Sequence, residues 1–147
     1  MKFKLIIDQS KPEEVVATVH EPSPLTDRLE QLLREYTGSD RVMGFAEDDM
    51  KALKFTEIQC ITVENGKTYA ITAGNRRYRL KQRLYELEAM LPSCFIRINK
   101  SALVNENKLE RFIPTISGAV DVQLQCGYRE YVSRRCFAQI KRRYDLK

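Results

Sequence analysis

The chain has 147 residues, a formal charge of +5, 43% hydrophobic and 31% charged residues, four Cys and one His, which suits one globular unit with a small appendage. That composition excludes collagenous, coiled-coil-only and wholly disordered chains. No apolar run approaches the roughly 20 residues that cross a bilayer, and the opening MKFKLIID is too short and too soon charged for a signal peptide, so a cytoplasmic protein is expected.

Residues 2–8 alternate on Phe3, Leu5 and Ile7 as a half-buried strand does, and Val15, Val16, Ala17 and Val19 suggest a second strand. Ser23 then offers an N-cap with Pro24 at the first helical position. Leu25, Leu29, Leu32, Leu33 and Tyr36 follow at helical spacing until Thr37-Gly38-Ser39-Asp40 breaks the pattern. This predicts a small acidic strand–strand–helix module over residues 1–40. A unit so short buries too little surface to stand alone, so a dimerisation or regulatory role is expected of it.

From Arg41 short strands dominate: Arg41–Glu47, Ala52–Phe55, Ile58–Glu64, Lys67–Thr72 and Arg76–Leu80, with Asn65-Gly66 as a type I′ hairpin signal. Leu84, Leu87 and Leu91 mark a helix between Lys81 and Leu91, which Pro92-Ser93 stops. Strands resume at Phe95–Asn99, Leu109–Ile116, the alternation Val120, Val122, Leu124, Cys126, and Glu130–Ser133. A final helix from Arg134 carries Phe137, Ile140 and Tyr144. The expected class is mainly β with short helices (α+β), with a second domain over residues 41–147.

Chemistry narrows the function further. Cys60, Cys94, Cys126 and Cys136 form no CxxC pair, and His20 is the only other soft ligand, so neither a zinc site nor a metal or cofactor requirement is expected. Nucleophilic triads need a histidine beside the nucleophile, and His20 lies in the front module, distant in sequence from every candidate. The six glycines form no Walker A or dinucleotide fingerprint, and Glu47-Asp48-Asp49 reads as a solvated turn. An enzyme is not expected.

Charge is unevenly distributed. Residues 1–50 hold six of the 25 Lys/Arg and eleven of the 20 Asp/Glu, leaving nineteen basic and nine acidic residues for 51–147. Such a remainder suits a polyanion. Arg76, Arg77, Arg79, Lys81 and Arg83 fall within eight residues, and Arg134, Arg135, Lys141, Arg142 and Arg143 within ten. The first cluster fits the outer side of a strand equally well. The second gains weight from position, because Arg134 and Arg135 stand where a strand passes into a helix and first-turn amides can meet phosphate with them.

The run Phe95-Ile96-Arg97-Ile98-Asn99-Lys100-Ser101-Ala102-Leu103-Val104-Asn105, followed by Lys108-Leu109, resembles the signature of LytTR DNA-binding domains. Leu84-Tyr85-Glu86-Leu87-Glu88 and Cys126-Gly127-Tyr128-Arg129-Glu130-Tyr131-Val132-Ser133-Arg134-Arg135 agree in order, so the resemblance spans residues 42–147. It implies a bacterial transcription regulator that lays loops of a β domain into successive major grooves of double-stranded DNA. Carried onto this chain, the contact regions are Lys67, Thr68 and Tyr69 on the first hairpin, Asn99, Lys100 and Ser101 at the second turn, and Arg134 and Arg135 at the junction after Ser133. Lys100 and Arg134 are candidates for guanine, and Asn99 either pairs with adenine or closes its own turn. Ile98 and Asn99 stand where many members carry histidine, and Tyr69 where some do, so base preference does not carry over. Asn105 reads as a turn or cap residue.

Resemblance also implies a stand-alone regulator, since residues 1–40 are too short for a phosphoacceptor receiver. Its expected partners are DNA with repeated half-sites, a second copy of the chain, and a small membrane protein that restrains it. The alternative is a protein-interaction module whose basic face binds an acidic partner; single-stranded DNA or RNA ranks third, because most Tyr and Phe fall on core stripes.

Overall fold

The computed structural model describes residues 1–37 and 39–144. Its centre is a seven-stranded antiparallel sheet of β1 (Arg41–Phe45), β2 (Met50–Lys54), β3 (Ile58–Glu64), β4 (Lys67–Thr72), β5 (Arg76–Leu80), β6 (Phe95–Asn99) and β7 (Ala102–Asn105), in the order β2-β1-β5-β4-β3-β7-β6. A second, three-stranded sheet contains β8 (Leu109–Pro114), β9 (Val120–Leu124) and β10 (Arg129–Val132).

Alternation along the strands makes two cores, one on each face of the larger sheet. Helix α2 (Leu84–Met90) closes the first, where Leu84 and Leu87 pack with Leu53, Ile61, Tyr78 and Leu103. The smaller sheet and helix α3 (Arg134–Arg143) close the other through Val122, Leu124, Val132 and Ile140, against Cys60 and Ile71. A bulge between Ile58 and Cys60 shifts the alternation of β3, so that Ile58 and Ile61, three residues apart, both reach the first core while Cys60 reaches the second. Asn65 and Gly66 both take positive φ, 52° and 74°, as the β3–β4 hairpin signal requires.

Helix α1 (Pro24–Thr37) docks at one end of the large sheet through polar contacts. Glu30 accepts from the Ser93 hydroxyl at 2.8 Å and from its amide at 3.2 Å, and Arg34 donates to the Met90 carbonyl. None of its residues is buried. Ser23 enters the helix with its amide donating to the Thr26 hydroxyl at 3.0 Å.

Two features differ from the sequence-based expectation. Residues 1–23 contain no strand, although Phe3, Leu5 and Ile7 alternate and Val15, Val16, Ala17 and Val19 are apolar enough to suggest one; an isolated two-stranded ribbon has too few partners in water. Strand β7 was not expected, because all four of its residues are buried and carry no alternation. Helix α2 falls inside the interval expected for it, starting at Leu84, where the Glu86 carboxylate receives the Arg83 amide at 3.2 Å.

Candidate nucleic-acid interface

Three separate segments meet at the other end of the large sheet. Antiparallel pairing of Thr62 with Ala102 brings the β6–β7 turn beside the β3–β4 hairpin, and the Val63 amide donates to the Ser101 carbonyl at 2.9 Å. The chain leaving β10 joins them, with the Ser133 amide donating to the Ile98 carbonyl at 2.8 Å. Backbone hydrogen bonds thus fix the hairpin, the turn and the start of α3 relative to one another.

Lys67, Lys100, Arg134 and Arg135 are exposed there, and none has an ion-pair partner among the described residues. Other basic residues are engaged. Arg77 pairs with Glu64 at 2.8 Å and lies 4.8 Å over the Tyr69 ring; Glu64 hydrogen-bonding holds its pKa above the usual arginine value. Arg143 pairs with Glu106 at 2.6 Å, and Lys141 stands 5.0 Å over Phe137. Each basic cluster therefore divides into members that hold the fold and members that face solvent.

Local chemistry explains the junction. The Ser133 hydroxyl caps α3 by accepting the Cys136 amide at 3.2 Å, and the first turn contains no acid. Arg134 and Arg135 are set there beside free amides, a combination that attracts phosphate and repels other cations.

Not all eight sequence-predicted contact residues reach the surface. Thr68 is buried opposite Leu80, and Tyr69 is half-buried between Thr62 and Arg79. Ser101 is half-buried, its amide donating to Asn99 Oδ1 at 2.7 Å. Asn99 is 1% exposed. Its amide nitrogen donates to the Tyr131 carbonyl at 2.9 Å and to Glu130 Oε1 at 3.3 Å, so the whole side chain is spent on closing the turn that projects Lys100.

Sequence reasoning passed over the support beneath that turn. The Tyr128 hydroxyl donates to Glu130 Oε2 at 2.8 Å, and burial, aided by that bond, pushes the phenol well above its ordinary pKa. Tyr128 and Glu130 lay within the segment that carried the resemblance, yet nothing in their spacing marked them as braces. Arg79 and Lys81 also expose their chains toward this end, with Lys81 4.9 Å over Phe45.

Other chemistry finds little support. Cys60 is buried, which raises its thiol pKa, and burial pushes Cys94 up to about 11, so both stay protonated at neutral pH. A crevice of about 380 Å³ lies under α1 beside Phe55, Pro92 and Cys94, at the opposite end from the basic loops. Among the described residues no helix is long and apolar enough to cross a membrane.

Comparison with known proteins adds independent support. The chain is similar to a LytTr DNA-binding domain from Bacillus cereus, with 23% identity and a TM-score of 0.64, over 70% of this chain and 94% of that one. It is also 30% identical over 149 aligned positions to proteins from two strains of Staphylococcus aureus named as uncharacterized HTH-type transcriptional regulators, covering 99% of both chains. The model of the LytTr DNA-binding domain matches residues 48–145, and with the mostly β fold and the three converging segments it shows that the chain belongs to that family.

Proposed function

We propose that the protein regulates transcription by seating these three segments in successive major grooves of double-stranded DNA, binding as a homodimer at repeated half-sites. The observation that carries this reading is the convergence of Lys67, Lys100, Arg134 and Arg135, all exposed and without acidic partners among the described residues, at one rigid end of the fold. Lys100 and Arg134 read bases, since each can donate to guanine O6 and N7. Lys67 and Arg135 neutralise phosphate, and Asn99 with Ser101 positions Lys100. Thr68 and Tyr69 shape the hairpin from within, with Tyr69 presenting its hydroxyl at the rim. The exposed acidic front faces protein partners, either a second copy or a restraining small membrane protein.

Selection of duplexes from a random library, followed by titration against a scrambled control, tests this reading. A repeated motif bound on the order of a thousandfold more tightly than the control is expected. Arg134→Ala or Lys100→Ala should lose about 1–3 kcal/mol and relax preference at one or two base pairs, whereas Arg142→Ala should weaken all sequences equally. Uniform loss in the first two variants removes base reading, and sequence-blind, salt-labile binding by the native chain favours an acidic protein partner instead.

A further inference from the structure

Residues 1–23 are left unused by the DNA contacts. Phe3, Leu5 and Ile7 are 91%, 72% and 85% exposed. Within residues 1–22 the Lys11 amide to Asp8 carbonyl contact, 3.3 Å, is the sole backbone pairing among the described residues. On α1, Leu32 and Tyr36 stand one turn apart and are exposed as well. Arm and helix together leave on the order of 1,000 Å² of apolar side chain in water, comparable with the surface one partner buries in a stable complex.

The arm's own sequence indicates its occupant. Set antiparallel to a second copy about Leu5, the segment Lys2-Phe3-Lys4-Leu5-Ile6-Ile7-Asp8 places Phe3 opposite Ile7, Leu5 opposite Leu5, and Lys2 opposite Asp8 at both ends. Folding back within the chain about the Asp8–Lys11 turn is a poor alternative. It would set Ile6 and Leu5 opposite Glu13 and Glu14, and Pro12 has no amide to donate.

We propose that residues 2–8 of two copies pair as a two-fold antiparallel ribbon, whose Phe3, Leu5 and Ile7 face covers the exposed Leu32 and Tyr36 surface of the α1 helices. This deepens the homodimer reading above and rests on it, but not on the DNA contacts. A lone ribbon is marginal, and the helix faces supply the missing layer. Because α1 docks at the sheet end away from Lys100 and Arg134, both groove-facing ends stay free in the dimer.

Sedimentation of the full chain without DNA reads the assembly directly, and a dimer at micromolar concentration is expected. Leu5→Lys sets two ammonium groups opposite each other on the axis and should raise the dimer dissociation constant about a hundredfold. The side chain is exposed, so the fold survives, as an unchanged circular-dichroism spectrum verifies. Lys2→Asp or Asp8→Lys alone should weaken association, and the double variant should restore it. Leu5→Cys should form an interchain disulfide under mild oxidation, whereas Ile7→Cys, facing Phe3 of the other copy, should not. A dimer that survives Leu5→Lys, or charge swaps without rescue, overturns arm pairing while leaving the homodimer intact. A monomeric native chain overturns both, and affinity for a single half-site, titrated in parallel, reports separately on the DNA contacts.

Discussion

Arg134 and Arg135 sit where helix electrostatics disfavours them. A cation in the first turn of an α-helix meets the positive end of the dipole, an unfavourable contact of about 0.3–1 kcal/mol, and no acid in that turn of α3 offsets it. Residues held against local stability in this way are candidates for function, since phosphate is the partner that reverses the sign. Arg135→Glu is therefore expected to raise stability by about 0.3–1 kcal/mol, with a melting temperature higher by a few degrees. The same variant should lower DNA affinity at least about tenfold through a lost phosphate contact and added repulsion. Thermal melts beside DNA titration check both signs, and a destabilised variant would show that the arginine serves the fold. Asn99 shows the limit of reading at this scale. Its sequence context allowed a base contact or a closed turn, and the choice depends on the bulge between Arg97 and Asn99, which buries Ile98 and Asn99 in succession. Strict alternation would have exposed one of them, and nothing local announces the bulge.

At the level of elements, β1 and β5 were legible because their two faces differ. Tyr78 and Leu80 point inward from β5 while Arg77 and Arg79 point out, so the period of two is visible in the residues themselves. Strand β7 lacked that signal, since Ala102, Leu103, Val104 and Asn105 are all enclosed between β3, β6 and the two cores. The arm erred in the other direction: Phe3, Leu5 and Ile7 alternate, but the chain provides no strand beside them. Close packing was the least legible property. Gly44 lies mid-strand in β1, where a Cβ would stand 2.7 Å from Leu53 Cδ1 and 2.8 Å from Tyr78 Cβ. Both neighbours are buried, so neither side chain can swing away. Gly44→Ala should destabilise the protein by about 1–3 kcal/mol, seen as a lower denaturation midpoint with unchanged slope. DNA affinity measured well below the transition should be retained, because three strands, β5, β4 and β3, separate β1 from β7 and its turn.

Across the whole molecule, the charge split follows the geometry. The acidic front contributes α1 and the arm at one end, and the basic remainder contributes the loops at the other. One acidic turn breaks this pattern. Glu47-Asp48-Asp49 links β1 to β2 at the loop end, beyond β5 from the hairpin, and places like charge against any polyanion at that edge. Separation of the two ends makes assembly and DNA contact independently removable. Deleting residues 1–23 takes no buried side chain from either core, so the circular-dichroism spectrum and the affinity for a single half-site should stay close to those of the full chain. Counterion release belongs to the loop end, so the slope of log affinity against log salt at one half-site should also be unchanged. What should disappear is the gain on a duplex with two half-sites, where tethering by the dimer raises the effective concentration of the second domain by a factor of about 10²–10⁴ over independent binding. Titrating one-site and two-site duplexes with both chains separates the effects: equal loss on both duplexes would mean that the arm supports the DNA-binding end itself, and an undiminished two-site gain would place the dimer contact elsewhere.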